Sequence, residues 1–145
     1  MTRFRFNLEK VLKLRQYHEQ EAKIEMGKAI GILTEIENKI KLNATARVQS
    51  SQQRFSGITS AGGGASSMFA WNSYILRLEQ ESERLMEKAA QAELVVQEKR
   101  ALYIEASREL KVMEKLRERR AAEHRKEMFA AQTRELDDMR RVKNL

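Results

Sequence analysis

The sequence predicts an all-α protein, a long antiparallel two-helix coiled-coil hairpin over a single domain, 1–145. Three observations predict it. Apolar residues recur in alternating steps of three and four along two long stretches. One Gly/Ser-rich segment separates those stretches. The 145 residues contain no Pro, where an average chain of that length carries about seven, so nothing forbids very long helices.

The first helix is expected over about 6–55. Ala22, Met26, Ala29, Leu33, Ile36 and Ile40 keep the alternation without a break. Leu8 and Leu12 continue it backward, with Arg15 and Glu19 as polar interruptions. Beyond Ile40 the apolar stripe reads Ala44, Val48, Ser51, Phe55 and Ile58 after two successive steps of four. That pattern is a stutter, which locally unwinds a supercoil. The segment 56–67 then holds four of the six glycines and no charge, the composition of a flexible connector. A phosphate-cradling loop would need Gly-Lys-Ser/Thr opening a helix after a strand, and neither is present.

The second helix is expected over about 68–140. Its series is Trp71, Ile75, Leu78, Ser82, Leu85, Ala89, Ala92, Val96, Lys99, Tyr103, Ala106, Leu110 and Met113. Only Ser82 and Lys99 are polar, so the seam is a sustained heptad one. The stripe is too narrow for a globular core, and the remaining faces are too polar for burial all round. With the turn near residue 62, facing residues have numbers that sum to about 124. Ile40 then lies near Leu85, and Leu8 near Leu116. The first helix would reach about 75 Å at ~1.5 Å per residue, and the second would overhang it by about 20 residues.

Composition narrows the function classes. Zero Cys excludes disulfides, iron–sulfur clusters, thiolate zinc sites and cysteine nucleophiles, and two His make a poor metal set. The apolar runs, such as Leu94-Val95-Val96, are far shorter than the ~20 residues a spanning helix needs. Residues 1–15 carry bases but no apolar core of a secretory signal. The chain is therefore expected inside the cell, where the sequon Asn43-Ala44-Thr45 has no consequence. Acids sit three or four residues from Lys or Arg, as on a solvated coiled-coil surface. His18 and His124 fall on helix surfaces or at weak seam positions. No enzyme activity, cofactor, metal or small-molecule substrate is expected, because a two-helix hairpin offers no enclosed pocket for one.

Charge is more informative. Lys+Arg 28 against Asp+Glu 21 gives +7, with a sequence pI near 9.8 and mean hydropathy -0.66. Residues 1–15 hold Arg3, Arg5, Lys10, Lys13 and Arg15 against Glu9, a net +4. Residues 111–126 hold seven bases against Glu114, Glu118 and Glu123, also +4. The hairpin brings both segments to one end, so the remainder of the chain nets -1. The continued core positions there are Arg117, Arg120 and His124, so the seam is expected to fail. A basic end of this kind needs an anionic partner. Bases alternate with Glu and lead into no parallel zipper, which argues against nucleic acid. The basic end also lacks a broad apolar face with Trp or Phe anchors, which argues against direct membrane binding.

The N-terminal run Phe4-Arg5-Phe6-Asn7-Leu8-Glu9-Lys10-Val11-Leu12, followed by Arg15 and Glu19, resembles the start of the FliJ family of flagellar type III export proteins. That family opens with Phe-x-Phe-x-Leu, then a Val-Leu pair and a basic residue. Length, two long helices, basic pI and absence of Cys are also similar. The resemblance implies a non-enzymatic stalk and adaptor of bacterial flagellum biogenesis, and hence of motility and chemotaxis. It implies an antiparallel coiled coil that enters the export ATPase ring, promotes its assembly and activity, contacts the cytoplasmic domain of the export gate and escorts export chaperones. The expected place is cytoplasmic, peripheral at the flagellar basal body, with the membrane reached only through the export apparatus. Expected ATPase-binding residues are Arg3, Phe4, Arg5, Phe6, Leu8, Lys10 and Leu12, with Arg117, Arg119, Arg120, Arg125 and Lys126. The spacing of the family's gate-binding surface falls on Trp71, Ile75, Leu78 and Ser82. Two alternatives are the equivalent stalk of a virulence injectisome and a basic coiled coil that binds nucleic acid.

Overall fold

The computed structural model describes residues 2–59 and 64–145. Two α-helices, α1 (Glu9–Thr59) and α2 (Ala65–Lys143), account for nearly all of them, and no strand occurs among the described residues. The chain groups into two compact units, Met1–Ala22 with Leu102–Leu145, and Lys23–Ala101. In each unit a piece of α1 packs antiparallel on a piece of α2. The pairs Asn43 with Leu78, Arg54 with Asn72, Arg15 with Glu109, and Glu9 with Arg117 all have numbers summing to within three of the expected 124.

The heptad pattern places the core. All thirteen positions of the α2 series are buried or half-buried, with Ser82, Leu85 and Val96 the most enclosed. Ala22, Met26, Ala29, Leu33, Ile36 and Ile40 are the matching positions of α1. The core is thin: the buried apolar residues are Leu12, Ala29, Leu85 and Val96. Each helix covers only one stripe of the other, so a side chain at the seam keeps its flank in water.

The stutter beyond Ile40 does not occur. The seam continues as Asn43, Arg47, Ser50, Arg54 and Gly57, still in steps of three and four, with Ala44 and Ala46 half-buried beside it. Val48 and Phe55, the apolar residues the stutter would have turned inward, are 58% and 69% exposed. The facing stretch of α2, Trp71 to Ser82, keeps a regular heptad, and both helices of a supercoil share one period. Register therefore overrides side-chain polarity here. The polar residues are partly accommodated: Asn43 Nδ2 donates to the Leu78 carbonyl at 3.0 Å, Ser50 Oγ donates to the Ala46 carbonyl at 2.7 Å, and an Arg54 N–H donates to Asn72 Oδ1 at 2.9 Å. Asn43 Oδ1 and Arg47 Nε are buried with no hydrogen-bond partner among the described residues. Each such group costs about 1–3 kcal/mol.

The helix ends also differ from expectation. α1 starts at Glu9 and not near residue 6, because Phe4-Arg5-Phe6 alternates with a period of two and Asn7 favours a turn. The Glu9 N–H donates to the Phe6 carbonyl at 3.2 Å in that turn, and Glu9 supplies negative charge to the first helical turn. α1 runs on to Thr59 through Gly57, and α2 begins at Ala65, so 56–59 and 65–67 are helical where a connector was expected. Gly64 caps α2: its carbonyl accepts the Ser67 and Met68 N–H groups at 3.1 and 3.2 Å. The rest of the expected connector, 60–63, lies outside the described residues.

Candidate partner-binding surfaces

The first surface belongs to the unit of residues 2–22 and 102–145. Residues 2–6 form an extended arm along α2. In an extended chain alternate side chains share a face, so Phe4 and Phe6 turn inward, half-buried, while Arg3 and Arg5 point to solvent. The Phe4 ring lies 5.6 Å from the His124 ring at 55°, and Thr2 Oγ1 donates to Met128 Sδ at 3.6 Å. Arm and helix enclose a groove of about 630 Å³ whose α2 wall is Arg120, Glu123, His124 and Glu127. Leu12, at 2% exposure, anchors the first turns of α1, whereas Leu8 is 39% exposed.

The seam does not fail where Arg117 and Arg120 were expected to sit. Both are exposed, and the half-buried stripe passes instead through Leu116, Ala121, His124 and Met128. After Met113 the step is three, which half-buries Leu116 and spares a guanidinium the cost of desolvation. Arg117 Nε pairs with Glu9 at 3.4 Å, and Arg15 pairs with Glu109. Arg3, Arg5, Lys10, Arg119, Arg120, Arg125 and Lys126 are exposed and form no ion pair among the described residues. Their charge is therefore available to a partner. The two segments expected to meet do meet, through Phe4 with His124 and Glu9 with Arg117. Sequence reasoning did not place His124 against Phe4. The period-two alternation Phe4-x-Phe6-x-Leu8 was the available signal for an arm.

The second surface belongs to the unit of residues 23–101. Trp71 is half-buried and meets Tyr74 edge-on, ring centroids 6.3 Å apart at 70°, while the Arg77 guanidinium lies 6.0 Å from the centre of the Tyr74 ring. Ile75 lines a groove of about 470 Å³ with Ala44, Arg47, Val48 and Glu79. Leu78 is half-buried, and Ser82 is 4% exposed. Trp71, Ile75 and Leu78 thus each show one flank to solvent, and Ser82 faces the seam.

Both surfaces fall within a stretch that matches a known protein family. The family, described as "Flagellar FliJ protein", matches residues 4–143, from the arm to the last turn of α2. The chain belongs to the FliJ family. No curated protein and no solved structure matches it. As a FliJ-family member the chain is a component of the flagellar export apparatus, in a family with structural and adaptor roles. Among its described residues no helix is long and apolar enough to cross a membrane.

Proposed function

We propose that this FliJ-family chain is a stalk that binds the flagellar export ATPase ring through the unit of residues 2–22 and 102–145, and links that ring to the export gate. The observation that carries the reading is that the arm, the first turn of α1 and α2 gather exposed bases without an ion pair among the described residues, Arg3, Arg5, Lys10, Arg119, Arg120, Arg125 and Lys126 among them, in one unit. Such a field steers an acidic partner and weakens with salt. Arg117 contributes less directly, being paired with Glu9. Phe4, Phe6 and Leu12 hold the arm and the start of α1 against α2, so they act by keeping the bases in place. Leu8, partly exposed, offers apolar contact beside them.

The gate contact is carried by Trp71, Ile75 and Leu78, with Ser82 behind them in the seam. Export chaperones are further partners. The setting is the cytoplasmic side of the flagellar basal body. Stimulation of the export ATPase by added wild-type chain, lost on reversing Arg119 and Arg120, tests the stalk assignment. Salt-sensitive retention on DNA with no effect on the ATPase would instead favour nucleic-acid binding.

A further inference from the structure

A coiled-coil seam is ordinarily apolar from both sides. Within the unit of residues 23–101 that holds from Met26 to Ile40 on α1, opposite the stretch of α2 that contains Leu85 and Val96. It does not hold beyond. The next seam positions of α1 are Asn43, Arg47, Ser50 and Arg54, and they face Trp71, Ile75, Leu78 and Ser82. The seam positions of the first wall are polar, with only the small Ala44 and Ala46 half-buried beside them, and the other wall is mostly apolar. Asn43, 8% exposed, keeps its Oδ1 without a partner among the described residues, and the buried Nε of Arg47 is likewise unpartnered there. Parting the helices would hydrate both atoms. It would break two hydrogen bonds across the seam, Asn43 to Leu78 and Arg54 to Asn72, whose groups water can satisfy. The apolar packing given up is that of Trp71, Ile75 and Leu78 with the small Ala44 and Ala46, all only half-buried to begin with.

We infer that this half of the unit opens locally, α1 residues 43–54 parting from α2 residues 71–82, and that the open form is the one the gate partner binds. The inference rests on the gate assignment above. It resolves a difficulty in that assignment: Ser82, at 4% exposure, is inaccessible while the helices are closed. On opening, Trp71, Ile75, Leu78 and Ser82 become one continuous stripe at heptad spacing. The occupant is an apolar-faced segment of the gate's cytoplasmic domain, which covers that stripe better than the polar wall it replaces. Asn43 sets the closed register through its bond to Leu78, as a lone seam Asn does.

Hydrogen exchange on the full chain tests the opening. Amides of 43–54 and 71–82 should exchange about tenfold or more faster than those of 26–40 and 85–99. Equal protection across the four segments overturns the inference. Binding to the gate's cytoplasmic domain tests the coupling with two opposed variants. Asn43→Leu with Arg47→Leu makes the wall apolar, and should slow exchange in 43–54 and 71–82 and weaken binding about tenfold. Arg54→Ala removes the bond to Asn72, and should speed exchange and tighten binding, a gain that removal of a direct binding residue cannot produce. If the wild type binds and neither variant changes the affinity, the coupling is wrong while the gate assignment stands. If the wild type binds no gate domain, the gate assignment falls, the proposed coupling falls with it, and the exchange comparison still decides whether the unit opens.

Discussion

Leu12 is the most buried apolar residue among those described, at 2% exposure, and its N–H donates to the Leu8 carbonyl at 2.9 Å in the first turn of α1. Replacing it with Ala removes most of a side chain from a seam with little else behind it. Core Leu→Ala changes cost about 2–5 kcal/mol, rising with the cavity left behind. A two-helix seam can partly collapse, so the lower end, about 2 kcal/mol, is expected. The matched control is Leu14→Ala, two residues on and 52% exposed, which should stay within about 0.5 kcal/mol. The difference of ~1.5 kcal/mol is roughly a factor of ten in an equilibrium constant. Because Leu12 lies close to the helix start, the chain can meet the cost locally by releasing the arm and the first turns of α1. Two readouts therefore apply: the urea midpoint by far-UV circular dichroism, and hydrogen exchange at residues 9–15. Leu12→Ala should lower the first, raise the second, or do both. If it matches Leu14→Ala in both, Leu12 does not anchor the arm.

Other predictions concern single positions and the C-terminal segment. Gly27 and Gly31 lie in α1 with ordinary helical φ, and a Cβ added at either meets nothing within 4 Å. Gly27→Ala and Gly31→Ala should each stabilise by about 0.5–1 kcal/mol, seen as a higher urea midpoint; a fall would show contacts that the seam does not contain. Trp71→Ala should weaken binding to the gate's cytoplasmic domain while far-UV dichroism stays nearly unchanged. Unfolding of the hairpin by that change would mark Trp71 as a packing residue. Residues 129–145 are exposed throughout, Phe129 at 72% and Leu136 at 59%. Truncation after Met128 should therefore leave the thermal midpoint of the remainder unchanged, and a clear drop would reveal packing by that segment.

The helices and most of the seam were legible because heptad spacing and apolar identity coincide from Ala22 to Ile40 and from Trp71 to Met113. Reading failed where they part. Between Asn43 and Arg54 the period continues through polar residues, and the apolar Val48 and Phe55 misled, since the register of a coil is a property of both helices. At Arg117 and Arg120 the reverse happened: the extrapolated period put arginines inside, and a three-residue step brings the half-buried Leu116 to the seam instead. The arm was missed because Leu8 was read on the helical period of Leu12 and the helix was started near residue 6, although Phe4, Phe6 and Leu8 are spaced by two. The meeting of residues 1–15 with 111–126 needed only the turn position and counting. The pairing of Phe4 with His124 and the two orphaned polar atoms needed side-chain geometry.

The central claim is that exposed bases of the unit built from residues 2–22 and 102–145 engage the export ATPase. The most direct test is the ATPase rate against added chain, at two salt concentrations, for the wild type and for Arg117→Glu with Arg119→Glu and Arg120→Glu. The reversal should cost little structure, since all three side chains are exposed and only Arg117 has an ion-pair partner, Glu9. The account predicts stimulation by the wild type that weakens at the higher salt, and no stimulation by the variant at unchanged helix content. No stimulation by the wild type, or equal stimulation by the reversed variant, would contradict it.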